Sequence, residues 1–327
     1  MLELTPAPTT LPPDRHPPFG RYQGYIENTQ VAGWDATDPW LRRWKRKSWF
    51  FAGVFSEDWI LGCAIADAGY LGLAFTYYYH RPSGTYFEEK AMQPFAFRRG
   101  FLPELWSPWG FRSRSRTWDV EPLAGAGGWH VKVAGKRIRF DLQLRHAFPG
   151  LTAIAPAQDR PFNSTFKIAA IPLSGSLAVD GKDVALGSPL GVVDFTWGYP
   201  ARRVIWNWAC LAGRTEEGRT IGVNAVAHFN DGLENAIWLD GDLLPMSQVQ
   251  FQPGKNRARD TWRIDSADEM IEIAFEPEGA RAENLHLGLV TSHFVQPFGR
   301  FTGTLRRNGR ASAIRGFGIV EDHRAVW

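Results

Sequence analysis

The sequence predicts an all-β protein made of two antiparallel β-barrels or strongly curved sheets packed side by side. Three observations carry this expectation. The 327 residues include 15 tryptophans, 22 phenylalanines and 8 tyrosines, types that suit a pleated, half-buried strand surface. The 33 glycines and 22 prolines are scattered, so they punctuate many short apolar runs. No long stretch carries the 3.6-residue apolar period of a helix. Even Glu269–Phe275 alternates, with Ile271 and Ile273 between charged residues, and so favours strand.

In chain order, residues 1–20 (with TPAPTTLPPDRHPPFG) read as an extended proline-rich arm, because proline fixes φ and removes a donor. Trp40–Lys47, with Trp40 and Trp44 at helical spacing, reads as a helical turn or an irregular loop. Lys47–Tyr79 holds three aromatic runs, KSWFFAGVFS, DWILGCAIADA and YLGLAFTYYYH, separated by polar or glycine punctuation in the rhythm of a meander. Phe95–Phe101, Ser113–Val120, Gly128–Val133 and Lys136–Leu144 continue it, the last two across a hairpin signal at Ala134-Gly135. Arg112, Arg114 and Arg116 alternate with serines and would line one solvated strand face. Leu151–Pro161 reads as a loop. Phe166–Val179 and Val184–Leu190 flank the turn Asp180-Gly181-Lys182. Strands are then expected at Val192–Trp197, Arg203–Ala212, Thr220–Phe229, Asn235–Leu239, Gln248–Gln252 and Asp260–Asp265. Four more follow at Met270–Pro277, Leu285–Pro297, Gly299–Arg306 and Ser312–Glu321. The strands form two comparable sets, which divides the chain into the arm 1–20, a domain at 21–185 and a domain at 186–327.

The bulk properties exclude several classes. Hydrophobic residues make up 44% and charged residues 22%, the balance of a folded soluble domain. A formal net charge of +3 is too small to draw nucleic acid or an anionic membrane. Cys63 and Cys210 lie far apart without a CxxC pair and read as reduced, buried hydrophobes. The eight histidines show no metal-ligand spacing, and no glycine-rich phosphate loop, HExxH or GxSxG is present. Neither a metal nor a cofactor is therefore expected. Without a signal-peptide core or a run of roughly 20 apolar residues, the expectation is a cytoplasmic protein with no integral membrane span.

Val192–Ala212, reading VVDFTWGYPARRVIWNWACLA, concentrates the candidate site. Val193, Phe195 and Trp197 share one strand face, with Asp194 and Thr196 on the other. If Arg203–Ala212 and Thr220–Phe229 form a hairpin with Ala212 opposite Thr220, then Trp206, Trp208, Asn224 and His228 share a face. A slip of one residue would bring Asn207 onto that face instead. Either way an asparagine sits among tryptophans, where its amide must find a partner in protein, water or ligand. Trp197, Trp206, Asn207, Trp208 and Asn224 are thus the candidate ligand-binding residues. Asp194 is the candidate acid, because burial among apolar neighbours raises a carboxyl pKa. It could equally accept donors at the Tyr199-Pro200 turn or pair with Arg202 or Arg203. His228, Glu321 and His323 complete the candidate catalytic set. Glu321 and His323 can share a strand face, whereas the adjacent Asp322 and His323 cannot.

The run Asp194-Phe-Thr-Trp-Gly198, then Arg203 and Trp206-Asn-Trp-Ala209, with Gly222-Val-Asn224 downstream, resembles a largely microbial family labelled as a domain of unknown function. The closing Gly318-Ile-Val-Glu-Asp-His323 and Trp327 resemble its C-terminal signature, and the likeness spans most of the chain from about Gly20. That family is distantly similar to the double-calycin group of AttH-like proteins, hydroxyneurosporene synthase (a carotenoid hydratase) and tocopherol cyclase. The resemblance implies two lipocalin-like barrels, an apolar ligand that is isoprenoid or aromatic, and cofactor-free protonation of an alkene by a carboxylic acid. Three readings follow: an enzyme of hydration, cyclisation or isomerisation, a non-catalytic lipid or isoprenoid carrier, and a glycan-binding or glycan-active protein whose tryptophans stack on sugars.

Overall fold

A computed structural model describes residues 4–13, 17–36, 44–94, 104–157, 160–288 and 290–327. Among the described residues the regular structure is nearly all strand, in two antiparallel sheets. The first, a nearly closed barrel, begins with β1 (Gly20–Gln23), β2 (Lys47–Phe55), β3 (Trp59–Asp67), β4 (Leu71–His80) and β5 (Thr85–Pro94). It continues through β6 (Trp109–Ser113), β7 (Arg116–Pro122), β8 (Gly128–Ala134) and β9 (Ile138–Arg145). Its last members are β10 (Leu151–Ala157), β11 (Arg160–Val179), β12 (Lys182–Asp183) and β13 (Leu190–Gly198). The second sheet, a curled half-barrel, takes β14 (Arg203–Thr215), β15 (Thr220–Ala227), β16 (Ala236–Leu239), β17 (Asp242–Pro245) and β18 (Val249–Pro253). It closes with β19 (Trp262–Ser266), β20 (Ile271–Leu287), β21 (Val290–Arg307) and β22 (Arg310–Val326).

Spatial order in the first sheet runs β5-β4-β3-β2-β13-β11-β9-β8-β7-β6, with β10 also on β11 and β1 beyond it. The long strand β11 is its seam. The first part of β11 pairs with β10 and β13, and Leu173–Val179 pairs with β9. The switch occurs at a bulge where Ala170 has φ 61°, an extra residue that bends the strand and lets the sheet curl. In the second sheet the order is β17-β16-β15-β14-β22-β21-β20-β19-β18.

Alternation along β14 explains how the sheets meet. Trp208, Cys210 and Ala212 enter one continuous core with the barrel interior, while Ala209 and Leu211 enter the second sheet's own core around Trp262. Over Trp208–Ala212 both faces of β14 are therefore buried, which is why that stretch is an unbroken apolar run. The contact is close at Gly222, where a Cβ would stand 2.7 Å from the Ala169 Cβ. A bidentate ion pair from Arg81, in the turn after β4, to Glu278 (2.7 Å for each hydrogen bond) ties that turn to β20.

The all-β, calycin-like architecture agrees with the sequence reading; several local expectations are corrected. Ser113–Val120 is not one strand: Arg114 turns the chain at φ 43° between β6 and β7. The three arginines consequently share no face, and Arg116 reaches Glu89 at 3.0 Å. Leu151–Pro161, expected as a loop, contains β10, whose apolar run lacks alternation because it is buried on both faces. Val184–Leu190 is not a strand apart from the first residue of β13. Leu285–Pro297 and Gly299–Arg306 divide differently, into the end of β20 and a single β21. Phe95–Phe101 and the first half of Trp40–Lys47 lie outside the described residues. Strand β13, which follows the 185/186 division, pairs with β2 and β11, so the chain leaves the first sheet only after Gly198. No helix among the described residues is long and apolar enough to cross a membrane.

Candidate active site

Between the two sheets lies a cavity of about 210 Å³. One wall comes from the barrel and presents Trp49, Phe51 and Phe75 with Lys167 and Asp194. The facing wall comes from the second sheet and presents Trp206, Trp208 and Phe294 with Gln296, Glu321 and His323. Strand periodicity sets this arrangement. Trp49 and Phe51 are two apart on β2, Trp206 and Trp208 on β14, and Glu321 and His323 on β22, so each pair faces the same side.

Glu321 is the chemically distinctive group. Its Oε1 accepts from Trp206 Nε1 at 2.7 Å and its Oε2 from Gln296 Nε2 at 3.0 Å. Burial raises its pKa from 4.5 to about 7, and the Asp194 charge adds to this, against the lowering effect of the Trp206 and Gln296 hydrogen bonds. A carboxyl in this environment keeps its proton far above the usual carboxylate range and can deliver it near neutral pH. His323 stands beside it, with Nδ1 3.7 Å from Glu321 Oε1 and Nε2 2.8 Å from Ser292 Oγ. Burial, reinforced by Arg281 and His293, lowers the His323 pKa to about 3, so its ring is neutral. That ring meets Trp206 edge-on at 4.2 Å.

Asp194 belongs to a different cluster on the opposite wall. Lys167 Nζ donates to its Oδ1 at 2.5 Å, Trp49 Nε1 donates to its Oδ2 at 3.2 Å, and Thr196 adds a contact at 3.4 Å. Lys167 also pairs with Glu234 at 3.0 Å. Burial works against the lysine's charge, but Asp194 and Glu234 outweigh it and hold its pKa above the usual value. Burial raises the pKa of Glu234, with Asp194 adding to the effect and Lys167 opposing it. Asn230 Nδ2 supports Glu234 Oε1 at 2.5 Å from a residue held at φ 50°. Trp49 and Trp206 stack across the cavity, centroids 6.1 Å apart and planes 18° apart. Each of these two stacked indoles therefore donates to a carboxylate on its own wall.

The structure brings together five of the residues singled out in the sequence: Asp194, Trp206, Trp208, Glu321 and His323 all line the cavity. Four others do not. Trp197 is buried in the barrel core against Phe162, centroids 5.1 Å apart. Asn207 points to the opposite face of β14, its Nδ2 3.4 Å from the Glu321 backbone oxygen. Asn224 lies behind the wall, accepting from Trp208 Nε1 and donating to the Glu234 backbone oxygen, each at 2.8 Å. His228 is exposed at φ 67°, beyond the end of β15. The hairpin is shifted by two residues, with Ala212 opposite Gly222 and Cys210 opposite Asn224. A shift of two preserves the faces, so Trp206 and Trp208 stay together while His228 falls past the strand end. Reasoning from sequence missed Trp49, Lys167, Glu234, Ser292 and Gln296. Lys167 did leave a signal, as a lone lysine within the apolar run FKIAAI.

Residues 16–327 match the family model described as a domain of unknown function, DUF2804. The chain has no significant match among curated protein sequences. Among solved structures, it is similar to CghA with Sch210972 at a TM-score of 0.59 and 14% identity, covering 85% of this chain and 88% of that one. Kievitone hydratase from Nectria haematococca is similar at a TM-score of 0.56 and 13% identity, covering 84% and 88%. A putative AttH from Nitrosomonas europaea is similar at a TM-score of 0.50 and 12% identity, covering 85% and 93%. At these identities the likeness establishes a shared fold.

Proposed function

We propose that this chain, which belongs to the DUF2804 family, binds an apolar, unsaturated small molecule between its two sheets and transfers a proton to it from Glu321. The reaction class is cofactor-independent hydration, cyclisation or isomerisation. One observation carries the reading: a buried carboxyl with its pKa near 7 opens on a cavity walled by aromatic rings. Protonating a carbon–carbon double bond leaves a cationic carbon, which the faces of Trp49, Trp206 and Trp208 stabilise. The neutral His323 ring beside Glu321 adds no positive charge that would draw the proton off the carboxyl. Asp194, the acid favoured from the sequence, has the different role of a fixed counter-charge: it is paired with Lys167, and its field helps to keep Glu321 protonated. The fold of a protein named as a hydratase supports the reading only as a compatible scaffold.

The test is incubation of the purified protein in D₂O with unsaturated isoprenoid and aromatic probes. Mass spectrometry should find deuterium on carbon in the product, and Glu321→Gln should abolish it. Binding of a probe with no carbon-bound deuterium would make the protein a carrier and refute the catalytic reading.

A further inference from the structure

Several buried polar atoms of the cavity wall have no hydrogen-bond partner, Ser48 Oγ and Trp327 Nε1 among them, and two of these atoms flank the Glu321 carboxyl. Gln296 donates through Nε2 to Glu321 Oε2, while its Oε1 has no partner. His323 is bonded through Nε2 to Ser292, while its Nδ1 has none and lies 3.7 Å from Glu321 Oε1. Gln296 is 1% exposed and His323 8% exposed, and both line the cavity. A buried polar atom left unpaired costs about 1–3 kcal/mol, so two such atoms beside one carboxyl call for a ligand group.

We infer that Gln296 Oε1 and His323 Nδ1 form a subsite for one O–H oxygen placed beside Glu321. The chemistry selects this class. Gln296 Oε1 is only an acceptor and needs a donor. The neutral imidazole offers Nδ1 as acceptor or donor, according to how Ser292 meets Nε2. Water can donate to Gln296 and either donate to or accept from His323. A hydroxyl, with its single proton, can donate to Gln296 while accepting from a protonated Nδ1. A carbonyl or ether oxygen has no proton for Gln296, and a hydrocarbon satisfies neither atom.

The inference rests on the proposed proton transfer and narrows it. When Glu321 gives its proton to one alkene carbon, a C–H bond forms. The subsite oxygen then forms a C–O bond to the other carbon, and its proton returns to the Glu321 carboxylate, restoring the acid. The net change adds H and O–R across the double bond, with nothing oxidised or reduced. With water in the subsite the reaction is hydration; with a hydroxyl of the ligand itself it is ring closure to a cyclic ether. A double-bond shift uses no oxygen and leaves the subsite without a role.

Crystal structures of the free protein and of a complex with geraniol, at a resolution that shows ordered water, test the subsite. One oxygen should lie within hydrogen-bonding distance of both Gln296 Oε1 and His323 Nδ1. Water retained in both structures assigns the subsite to a reacting water, and its replacement by the geraniol oxygen assigns it to a ligand hydroxyl. Absence of a shared oxygen from both structures would overturn the inference. Failure of geraniol to enter the cavity would count against the proposed ligand class, while the free structure would still decide the subsite. In crystals of Gln296→Met the oxygen should be lost; its persistence there would also overturn the assignment. If that variant does not fold, His323→Phe serves the same comparison.

Discussion

Replacing Glu321 by glutamine should make the protein more stable at high pH, by an amount the structure sets. The Glu321 pKa rises from 4.5 to about 7 on folding, and a pKa difference of one is worth about 1.4 kcal/mol. The folded chain therefore loses roughly 3 kcal/mol when this buried carboxyl must ionise. The direction follows from linkage. A carboxyl whose folded pKa is raised binds its proton more tightly in the native state, so its contribution is intact below about pH 4.5. That contribution is lost as pH climbs through about 7. Glutamine has the same shape, can still accept from Trp206, and never ionises. Urea denaturation of both proteins from pH 4 to pH 9, on the order of one measurement per half-unit, gives the difference as a function of pH. It should be small near pH 4 and grow to roughly 3 kcal/mol in favour of the variant above pH 8. A difference independent of pH, or one favouring the wild type at high pH, would refute the assignment of a raised pKa to Glu321.

Other perturbations probe the surrounding parts. Lys167→Met strands Asp194 and Glu234 without their shared cation and should cost about 3–5 kcal/mol near pH 8, less as acid neutralises the carboxylates; thermal denaturation at two pH values reads both effects. Asn224→Ala leaves the buried Trp208 Nε1 without its acceptor and should lower stability by about 1–3 kcal/mol in urea titrations. Gly222→Val drives a side chain into Ala169 across the sheet contact and should cost about 1–3 kcal/mol or more by overpacking. Carbon-bound deuterium transfer should fall as pH rises through about 7, where Glu321 loses its proton, and should drop roughly 100-fold or more in Glu321→Gln.

What could be read in advance follows the range of the interactions involved. Strand identity is local, so β2, β3 and β4 stand out from their alternating aromatic runs, and Glu321 and His323 can be placed on one face by counting two residues. The cavity is not local: Trp49 and Trp206 stack although they lie on different sheets. The partner of Asp194 is Lys167, brought beside it by the pairing of β11 with β13, rather than the nearby Arg202 or Arg203. Hairpin register depends on where the turn tightens. β14 runs on to Thr215 instead of stopping at Ala212, which shifted the pairing by two and left His228 outside. Strands buried on both faces, such as β10, lose the alternation that marks a half-buried strand and so read as loops.

The proposed proton transfer requires that Glu321 carry a proton in the native protein near neutral pH. Infrared difference spectroscopy of wild type against Glu321→Gln isolates the carbonyl stretch of this one carboxylic acid from that of Glu234. The wild type should show a protonated-acid band at pH 6, absent from the variant, that disappears with a midpoint near 7. No such band at pH 6, or a midpoint near 4.5, would contradict the proposed proton transfer.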